Sequence, residues 1–342
     1  MIYGHGDDLY SYPDIQVNFS SNCYTGADHS GLVQHLVAGL PDMVRSYPHP
    51  DAGDLKAQIA QKEGLETTQV AIYNGATEAI YAIARMRPEA KHYIAGPTFS
   101  EYEAAVKQVG SQIEKIDIFA LHRETRNNFE CGSVVWICNP NNPDGSVFEK
   151  VQLCDMIRKN PGTLFVIDQS YADFTDKAVL SANDIRDNTL IVSSLTKQYT
   201  IPGLRLGYVI GSNSYMQQLN RNRMPWAVNA IAIAAGKFLL SSSVDFGAIR
   251  KSLHCEVKRI RQRLLTSGYF EVWPTDTHYM LIRLIGGDAA LLKETLAQRY
   301  GLLVRNAENF APHYKGCFRI AVRTPSENEL LLNALIEYAS SL

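Results

Sequence analysis

The strongest constraint on the fold is an alternation, from Gln69 onward, of short apolar runs with amphipathic stretches. Apolar runs of strand length lie at residues 70–73, 92–95, 113–119, 134–138, 164–168, 190–193 and 206–210. Helix-like stretches separate several of these runs, at residues 77–86, 100–109 and 148–159. A run such as residues 164–167 is apolar throughout, which is typical of a strand covered on both faces. This pattern predicts an α/β fold with a mostly parallel central sheet.

The pattern differs on either side of this region. In the first forty-odd residues, polar residues, glycines and prolines interrupt the chain frequently, and we interpret this region as irregular. After Pro225 the pattern predicts helices at 228–240, 243–267 and 326–338, and strands at 279–284 and 318–322. A chain of 342 residues exceeds the roughly 250–300 that one core supports. We therefore predict an N-terminal arm and lid at residues 1–45, a large domain at 46–235 and a smaller α+β C-terminal domain at 236–342.

Charge and composition exclude several classes of protein. The net charge is −2, so neither nucleic acid nor a membrane is expected as a partner. The longest apolar run, residues 230–235, is far too short to span a membrane, and the polar, acidic opening is unlike a secretory signal. Six cysteines without CxxC spacing indicate free thiols in a reducing compartment. We expect a cytoplasmic protein without a metal site.

Ligands of open α/β sheets bind at the carboxyl ends of the strands, so the residues that follow each strand are informative. After residues 70–73 the chain reads Asn74-Gly75-Ala76-Thr77, and a helix follows. A glycine turn into a helix N-terminus presents N–H groups and a positive dipole end, which suits a phosphate. The alternative is a plain strand-to-helix turn with Thr77 as its N-cap. Because the common glycine-rich nucleotide motifs are absent here, a nucleotide is less favoured.

The later strand ends carry further polar groups. The loop at 139–145 contains three asparagines and two prolines, while Asp168 ends a buried apolar strand and Tyr171 follows it. Lys197 lies just beyond the strand at 190–193, and Arg205 lies in a Gly-x-Arg-x-Gly frame. Taken singly, each has an ordinary alternative, such as a turn, an ion pair or a surface lysine. Together they supply the phosphate cradle, carboxylate, phenol, amide and lysine that pyridoxal 5′-phosphate (PLP) requires.

The order of these motifs resembles the fold type I PLP enzymes, the aspartate aminotransferase superfamily. The matching residues are Gly75-Ala76-Thr77, Asn139-Pro-Asn-Asn-Pro143, Asp168-x-x-Tyr171, Ser194-x-x-Lys197 and Arg205. The resemblance implies the three-layer PLP-transferase fold, with the cofactor bound in the large domain. It also implies that Lys197, Asp168 and Tyr171 are catalytic.

By that resemblance, each contact with the cofactor falls on a particular residue. Lys197 would hold the cofactor as an imine and later act as acid and base, and Asp168 would pair with the pyridinium nitrogen. Asn142 and Tyr171 would contact the ring hydroxyl, and Phe99 would stack on the ring. The phosphate would be held by Gly75, Ala76, Thr77, Ser194 and Arg205.

Two further roles also follow from the resemblance. Tyr47 looks like the tyrosine that reaches the phosphate of a neighbouring subunit, which implies a homodimer with shared active sites. The strand at 318–322 resembles the one that delivers the arginine for the substrate carboxylate, so Arg319 takes that role. The alternative for Arg319 is a surface ion pair.

Within the superfamily, the chain is similar to the histidinol-phosphate aminotransferases and to the L-threonine-O-3-phosphate decarboxylases. Three segments favour the decarboxylases, namely Gly4-His5-Gly6, the stretch 97–103 and Ala321-Val-Arg-Thr-Pro325. In the aminotransferases, glycine usually takes the place of the arginine in the last segment. A small phosphorylated amino acid is therefore the substrate that the resemblance implies.

A phosphorylated amino acid needs two anion anchors. Arg323 would add a second cation beside Arg319, because a spacing of four keeps both on one side of a strand. His5 and Asn22 are further candidate substrate ligands. The segment 18–26 around Asn22 lacks the proline usual in the family, and His5 has the alternative of a surface position.

These resemblances imply decarboxylation of L-threonine O-3-phosphate to (R)-1-amino-2-propanol phosphate, a reaction of cobalamin biosynthesis. The alternatives are a histidinol-phosphate or related aminotransferase and a non-catalytic PLP-fold binding protein, which the presence of Lys197 disfavours. Asp144 and Gln169 replace the usual threonine and glutamate at positions that are not catalytic in the family. The orientation of the substrate decides which bond at Cα breaks, so the sequence leaves decarboxylation and transamination both open.

Overall fold

The computed structural model describes residues 8–123 and 128–342. The strands are β1 (Val17–Asn18), β2 (Val70–Tyr73), β3 (His92–Gly96), β4 (Ile113–Asp117), β5 (Val134–Cys138), β6 (Leu164–Asp168), β7 (Thr189–Ser194), β8 (Gly207–Gly211), β9 (Phe270–Val272), β10 (Tyr279–Leu284), β11 (Leu302–Leu303), β12 (Arg305–Asn306) and β13 (Cys317–Ala321). The helices are α1 (Ser30–Arg45), α2 (Gly53–Glu63), α3 (Ala76–Met86), α4 (Glu101–Gln108), α5 (Ile118–Arg123), α6 (Lys150–Lys159), α7 (Leu195–Gln198), α8 (Asn213–Arg221), α9 (Ala230–Leu240), α10 (Phe246–Ser267), α11 (Ala289–Tyr300) and α12 (Pro325–Ser340). Across these two ranges, no helix has both the length and the apolar character that crossing a membrane requires.

Seven strands form the central sheet, in the order β2-β8-β7-β6-β5-β3-β4. All of its strands are parallel except β8, which runs antiparallel to β2 and β7. Successive residues of β2 alternate between two hydrophobic clusters, because side chains of a strand point to opposite faces. Val70 and Ile72 belong to one cluster, while Ala71 and Tyr73 belong to the other. Both faces are covered, which confirms the predicted three-layer α/β fold.

Four strands form a second, antiparallel sheet in the order β12-β13-β10-β9. Helices α10, α11 and α12 supply apolar residues to the core on this sheet. Phe19 belongs to the same core, and β1 pairs in parallel with β11. By contrast, Ala232 and Ala235 of α9 belong to a cluster on the central sheet. The predicted domain boundaries at 45/46 and 235/236 stay predictions.

Two local predictions differ from the structure. The strand predicted at 113–119 ends at Asp117, whose Oδ1 accepts a hydrogen bond from the Phe119 N–H at 2.9 Å, and α5 begins at Ile118. A carboxylate that binds the backbone two residues ahead favours a turn over a continued strand.

The prediction that the first forty-odd residues are irregular is also wrong, because α1 covers residues 30–45. This helix contains Pro41 in its interior, where proline normally disfavours a helix.

Candidate active site

A cavity lies at the carboxyl ends of β5, β6 and β7, beside the N-terminus of α3. It is lined by Ala76, Thr77, Ile80, Phe99, Tyr102, Cys138, Asn142, Asp168, Ser170, Tyr171, Ser194, Thr196, Lys197 and Arg205. The lining includes nine of the eleven residues predicted to bind the cofactor. The structure therefore brings together groups that are more than 120 residues apart in the chain.

The end of the cavity formed by the start of α3 suits a phosphate. Gly75 has a φ of +85°, and a Cβ at this position would lie 2.7 Å from Nη2 of Arg205. A Cβ at Gly207 would lie 2.5 Å from the backbone nitrogen of Ala76. The two glycines thus let a guanidinium and a helix N-terminus approach each other closely. Gly75, and not Thr77, is the N-cap of α3, so the alternative of Thr77 as the cap is wrong.

The cavity also contains a buried carboxylate. Asp168 is the last residue of β6 and is 4% exposed. Its Oδ1 accepts hydrogen bonds from the N–H and Oγ of Ser170 at 2.9 and 2.6 Å, and its Oδ2 accepts one from the hydroxyl of Tyr102 at 2.8 Å. Burial raises the pKa of Asp168, while Ser170, Tyr102 and the charge of Lys197 oppose the rise. A cationic ring nitrogen beside this carboxylate would stabilise its charged form.

Lys197 also lines the cavity and lies on the short helix α7, directly after β7. Its Nζ is 3.9 Å from Sγ of Cys23. Burial opposes the charge on this lysine, but the interactions with Cys23 and Tyr171 outweigh that effect and raise its pKa. Burial also raises the pKa of Tyr171, whose hydroxyl accepts a hydrogen bond from Nδ2 of Asn22 at 3.4 Å. Lys197 is therefore a cavity residue rather than a surface lysine.

Arg319 is linked to the cavity by Asn142. Nη1 of Arg319 donates a hydrogen bond to Oδ1 of Asn142 at 2.5 Å. Sequence reasoning missed its neighbour Arg305, which is the cross-strand partner of Arg319 in the register of β12 and β13. The two residues are 7% and 4% exposed, respectively. Burial and the charge of Arg319 lower the pKa of Arg305 to about 10. Two adjacent buried cations favour an anion beside them.

Arg323 and Tyr47 are not among the residues that line the cavity. The guanidinium of Arg323 donates to the backbone carbonyls of Asn18, Ser21 and Cys23, and Arg323 follows the end of β13. Tyr47 is 87% exposed, and its ring lies 5.4 Å from that of Trp226. His5 lies outside the described residues. The predicted roles of these three residues stay predictions.

The geometry of the cavity fits PLP. The glycine-lined start of α3 and Arg205 would hold its phosphate, and Asp168 would face its ring nitrogen. Asn22 is buried beside Tyr171, and within the described residues its Oδ1 has no hydrogen-bond partner, as expected at a ligand site. When bound, PLP accepts electrons from a bond broken at the substrate Cα.

Known proteins resemble this chain over nearly its whole length. The sequence profile described as aminotransferase class I and II matches residues 14–335. The threonine-phosphate decarboxylase of Salmonella typhimurium is 30% identical over 341 residues, which cover 94% of this chain and 91% of that protein. The crystal structure of L-threonine-O-3-phosphate decarboxylase from Porphyromonas gingivalis is 34% identical, with a TM-score of 0.89 and coverage of 95% and 99%.

A third comparison concerns the cofactor. Histidinol-phosphate aminotransferase from Sinorhizobium meliloti, solved in complex with PLP, matches with a TM-score of 0.84 and 20% identity, covering 100% of this chain and 96% of that one. The similarity confirms the resemblance to fold type I PLP enzymes. The chain therefore belongs to the aminotransferase class I and II family, and its cofactor is PLP.

Proposed function

We propose that this protein decarboxylates L-threonine O-3-phosphate to (R)-1-amino-2-propanol phosphate, a reaction of cobalamin biosynthesis. The observation that carries the proposal is a pair of buried arginines on adjacent strands, Arg305 and Arg319, of which Arg319 is hydrogen-bonded to the cavity residue Asn142. A substrate with both a carboxylate and a phosphate supplies two anionic groups for these two cations. The similarity to two threonine-phosphate decarboxylases supports the same substrate class.

In this proposal, each cavity residue has a role that follows from its position. In the PLP-loaded enzyme, Lys197 would hold the cofactor, and its amine would be placed to move a proton at the substrate Cα. Asp168 keeps the ring nitrogen protonated, while Asn142 and Tyr171 bind the ring hydroxyl and Phe99 covers the ring. The phosphate of the cofactor is held by Gly75, Ala76, Thr77, Ser194 and Arg205.

Arg319 binds the substrate carboxylate and Arg305 binds the substrate phosphate. The bond that breaks must lie perpendicular to the plane of the cofactor ring, so the direction of the carboxylate decides the outcome. Decarboxylation requires the Cα–carboxylate bond in that orientation, whereas transamination requires the Cα–H bond there.

The test is incubation of the PLP-loaded enzyme with L-threonine O-3-phosphate while CO2 and aminopropanol phosphate are measured. We expect both products in equal amounts. Amino transfer from histidinol phosphate to 2-oxoglutarate, without CO2, would instead establish the aminotransferase. The likeness to a histidinol-phosphate aminotransferase is the observation that favours this second candidate.

Replacing Arg305 with methionine should raise the KM for threonine phosphate by roughly 10- to 100-fold, because a hydrogen-bonded charged contact contributes about 1.5–3 kcal/mol. Steady-state kinetics with threonine phosphate measure this change. Arg283→Met is the matched control, since Arg283 lies on β10 of the same sheet and pairs with Glu271 at 2.7 Å. An unchanged KM in the Arg305 variant would remove this residue from the substrate site.

We also propose that the enzyme is a homodimer, with α1 at the interface. Val33, Val37, Leu40 and Val44 are exposed apolar residues of α1, and their spacing places them on one face of the helix. Tyr47 follows this face directly. A second copy covering it would bury the apolar side chains and bring Tyr47 close to the partner's cavity.

The double substitution Val37→Asp and Val44→Asp should convert the dimer to a monomer, because it places charges on a face that the partner would desolvate. Sedimentation velocity measures the change from twice the chain mass to the chain mass. Val151→Asp is the control, since Val151 is 81% exposed on α6, in a different part of the fold. A monomeric wild-type protein, or a variant that stays dimeric, would contradict the interface.

A further inference from the structure

The segment of residues 18–24, which we term the strap, lies against the active lysine. The backbone N–H of Tyr24 donates to the carbonyl of Lys197 at 3.4 Å, and Sγ of Cys23 lies 3.9 Å from its Nζ. The side chain of Asn22 donates to the hydroxyl of Tyr171 at 3.4 Å. The strap therefore sets the surroundings of both Lys197 and Tyr171.

Most backbone carbonyls of the strap are bound by side chains that lie on a strand of the second sheet or next to one. The guanidinium of Arg323 donates from Nε to the carbonyl of Asn18 at 2.8 Å, from Nη2 to that of Ser21 at 2.6 Å and from Nη1 to that of Cys23 at 2.9 Å. One planar, rigid group thus holds three carbonyls at fixed relative positions. Buried backbone carbonyls need partners, and residues 20–24 lie in no helix or strand that would supply them.

Two further side chains bind the carbonyls of Ser20 and Asn22. Arg319 donates from Nη2 to the carbonyl of Ser20 at 2.5 Å, and Nε2 of His278 donates to that of Asn22 at 3.0 Å. Burial lowers the pKa of His278 to about 3, so its ring is neutral and carries the donated proton on Nε2. The start of the strap is held by strand-like backbone bonds, since Asn18 pairs with Leu303 and the Phe19 carbonyl accepts from the Ala321 N–H at 2.9 Å. The carbonyls of residues 20–23 are bound by side-chain donors instead.

We infer that Arg323 is a positioning residue, which holds the strap so that Asn22 and Cys23 face Tyr171 and Lys197. Its guanidinium is directed at backbone carbonyls, whereas Arg305 and Arg319 form the cross-strand pair that suits the substrate anions. This role differs from that of a second anion anchor. The inference that Arg323 affects catalysis rests on the proposed decarboxylase function. The inference that Arg323 holds the strap in place does not.

The structural part is tested by the reactivity of Cys23, which is 4% exposed. In Arg323→Met, the PLP-loaded enzyme should react with N-ethylmaleimide at Cys23 at least about tenfold faster than wild type, because the strap opens more often. Peptide mass spectrometry separates Cys23 from the other five cysteines, and the exposed Cys131 and Cys255 are internal references. The control Arg263→Met should label like wild type, since Arg263 pairs with Glu329 on the surface.

Kinetics separate positioning from anion binding. Arg323→Lys keeps the charge but cannot bridge three carbonyls. If Arg323 acts by positioning the strap, Cys23 of this variant should therefore react with N-ethylmaleimide as fast as Cys23 of Arg323→Met. Both variants should lose about tenfold or more in kcat for threonine phosphate, with KM changed less than about threefold. An anion anchor would instead give a raised KM that lysine partly restores, and unchanged labelling of Cys23.

His278→Phe provides a second variant if Arg323→Met does not fold. It removes the donor to the carbonyl of Asn22 and keeps a ring that can pack on Phe174, whose centroid lies 3.9 Å from that of His278. Cys23 should again label faster than in wild type. Wild-type labelling rates in both the His278 and Arg323→Lys variants would overturn the inference, whether or not the enzyme decarboxylates threonine phosphate.

Discussion

Lys197→Ala should abolish turnover and remove the visible absorbance band that an imine between PLP and the enzyme produces. Lys197 lines the cavity together with the start of α3 and Asp168, and within the described residues no other lysine lines that cavity. Loss of the proton transfer alone costs about 10²–10⁴-fold in rate. The spectrum of the purified protein supplied with PLP measures the first effect, and CO2 release from threonine phosphate measures the second.

The matched control for this experiment is Lys159→Ala. Lys159 ends α6 and pairs with Asp155 at 2.7 Å on the surface, so its loss should leave both spectrum and rate unchanged. A Lys197→Ala protein that keeps the imine band would place the covalent linkage at another lysine. It would contradict the assignment on which the proposed function depends.

Asp168→Asn should lower kcat by about 100-fold or more while it stabilises the cofactor-free protein. Removing one partner of a buried charge pair costs about 3–5 kcal/mol, and here the pair is the carboxylate and the protonated ring nitrogen. Asparagine keeps the size of the side chain and an oxygen that can accept from Ser170, so the change is mainly one of charge. Steady-state decarboxylation rates measure the loss.

The stability effect follows from the pKa of Asp168, which burial raises in the folded, cofactor-free chain. As pH rises above about 4, the unfolded chain loses this proton before the folded chain does, so the carboxyl makes folding less favourable at neutral pH. The asparagine variant lacks this cost, and its Tm without PLP at pH 7 should exceed that of wild type. Asp155→Asn is the surface control. A lower Tm for the Asp168 variant would show that its hydrogen bonds outweigh its charge.

The positions of candidate site residues that the sequence predicted are those set by local pattern. Asp168 follows a continuous apolar strand, and Lys197 follows another, so their places at strand ends follow from the period and length of these runs. The glycine turn before Thr77 was recognisable for the same reason. In each case the residue and the element that positions it are neighbours in the chain.

The parts that were missed depend on contacts between distant segments. Arg305 lies on a strand of two residues, too short for any periodicity, and only its pairing with β13 places it beside Arg319. The one available signal was an arginine directly after the apolar run at 302–304. Helix α1 was missed because Pro41 and the exposed valines obscure an amphipathic pattern, although Leu32 is buried.

The path of residues 17–24 links the two cores of the molecule mechanically. Val17 pairs with Leu302 beside the small sheet, and seven residues later Tyr24 is hydrogen-bonded to the backbone of Lys197. Because Arg319, Arg323 and His278 bind carbonyls of this segment, a rotation of the second sheet would displace the groups around the lysine in the same movement. Capture of the substrate anions by the small sheet would thus be communicated to the reacting end of the cofactor without a separate signal.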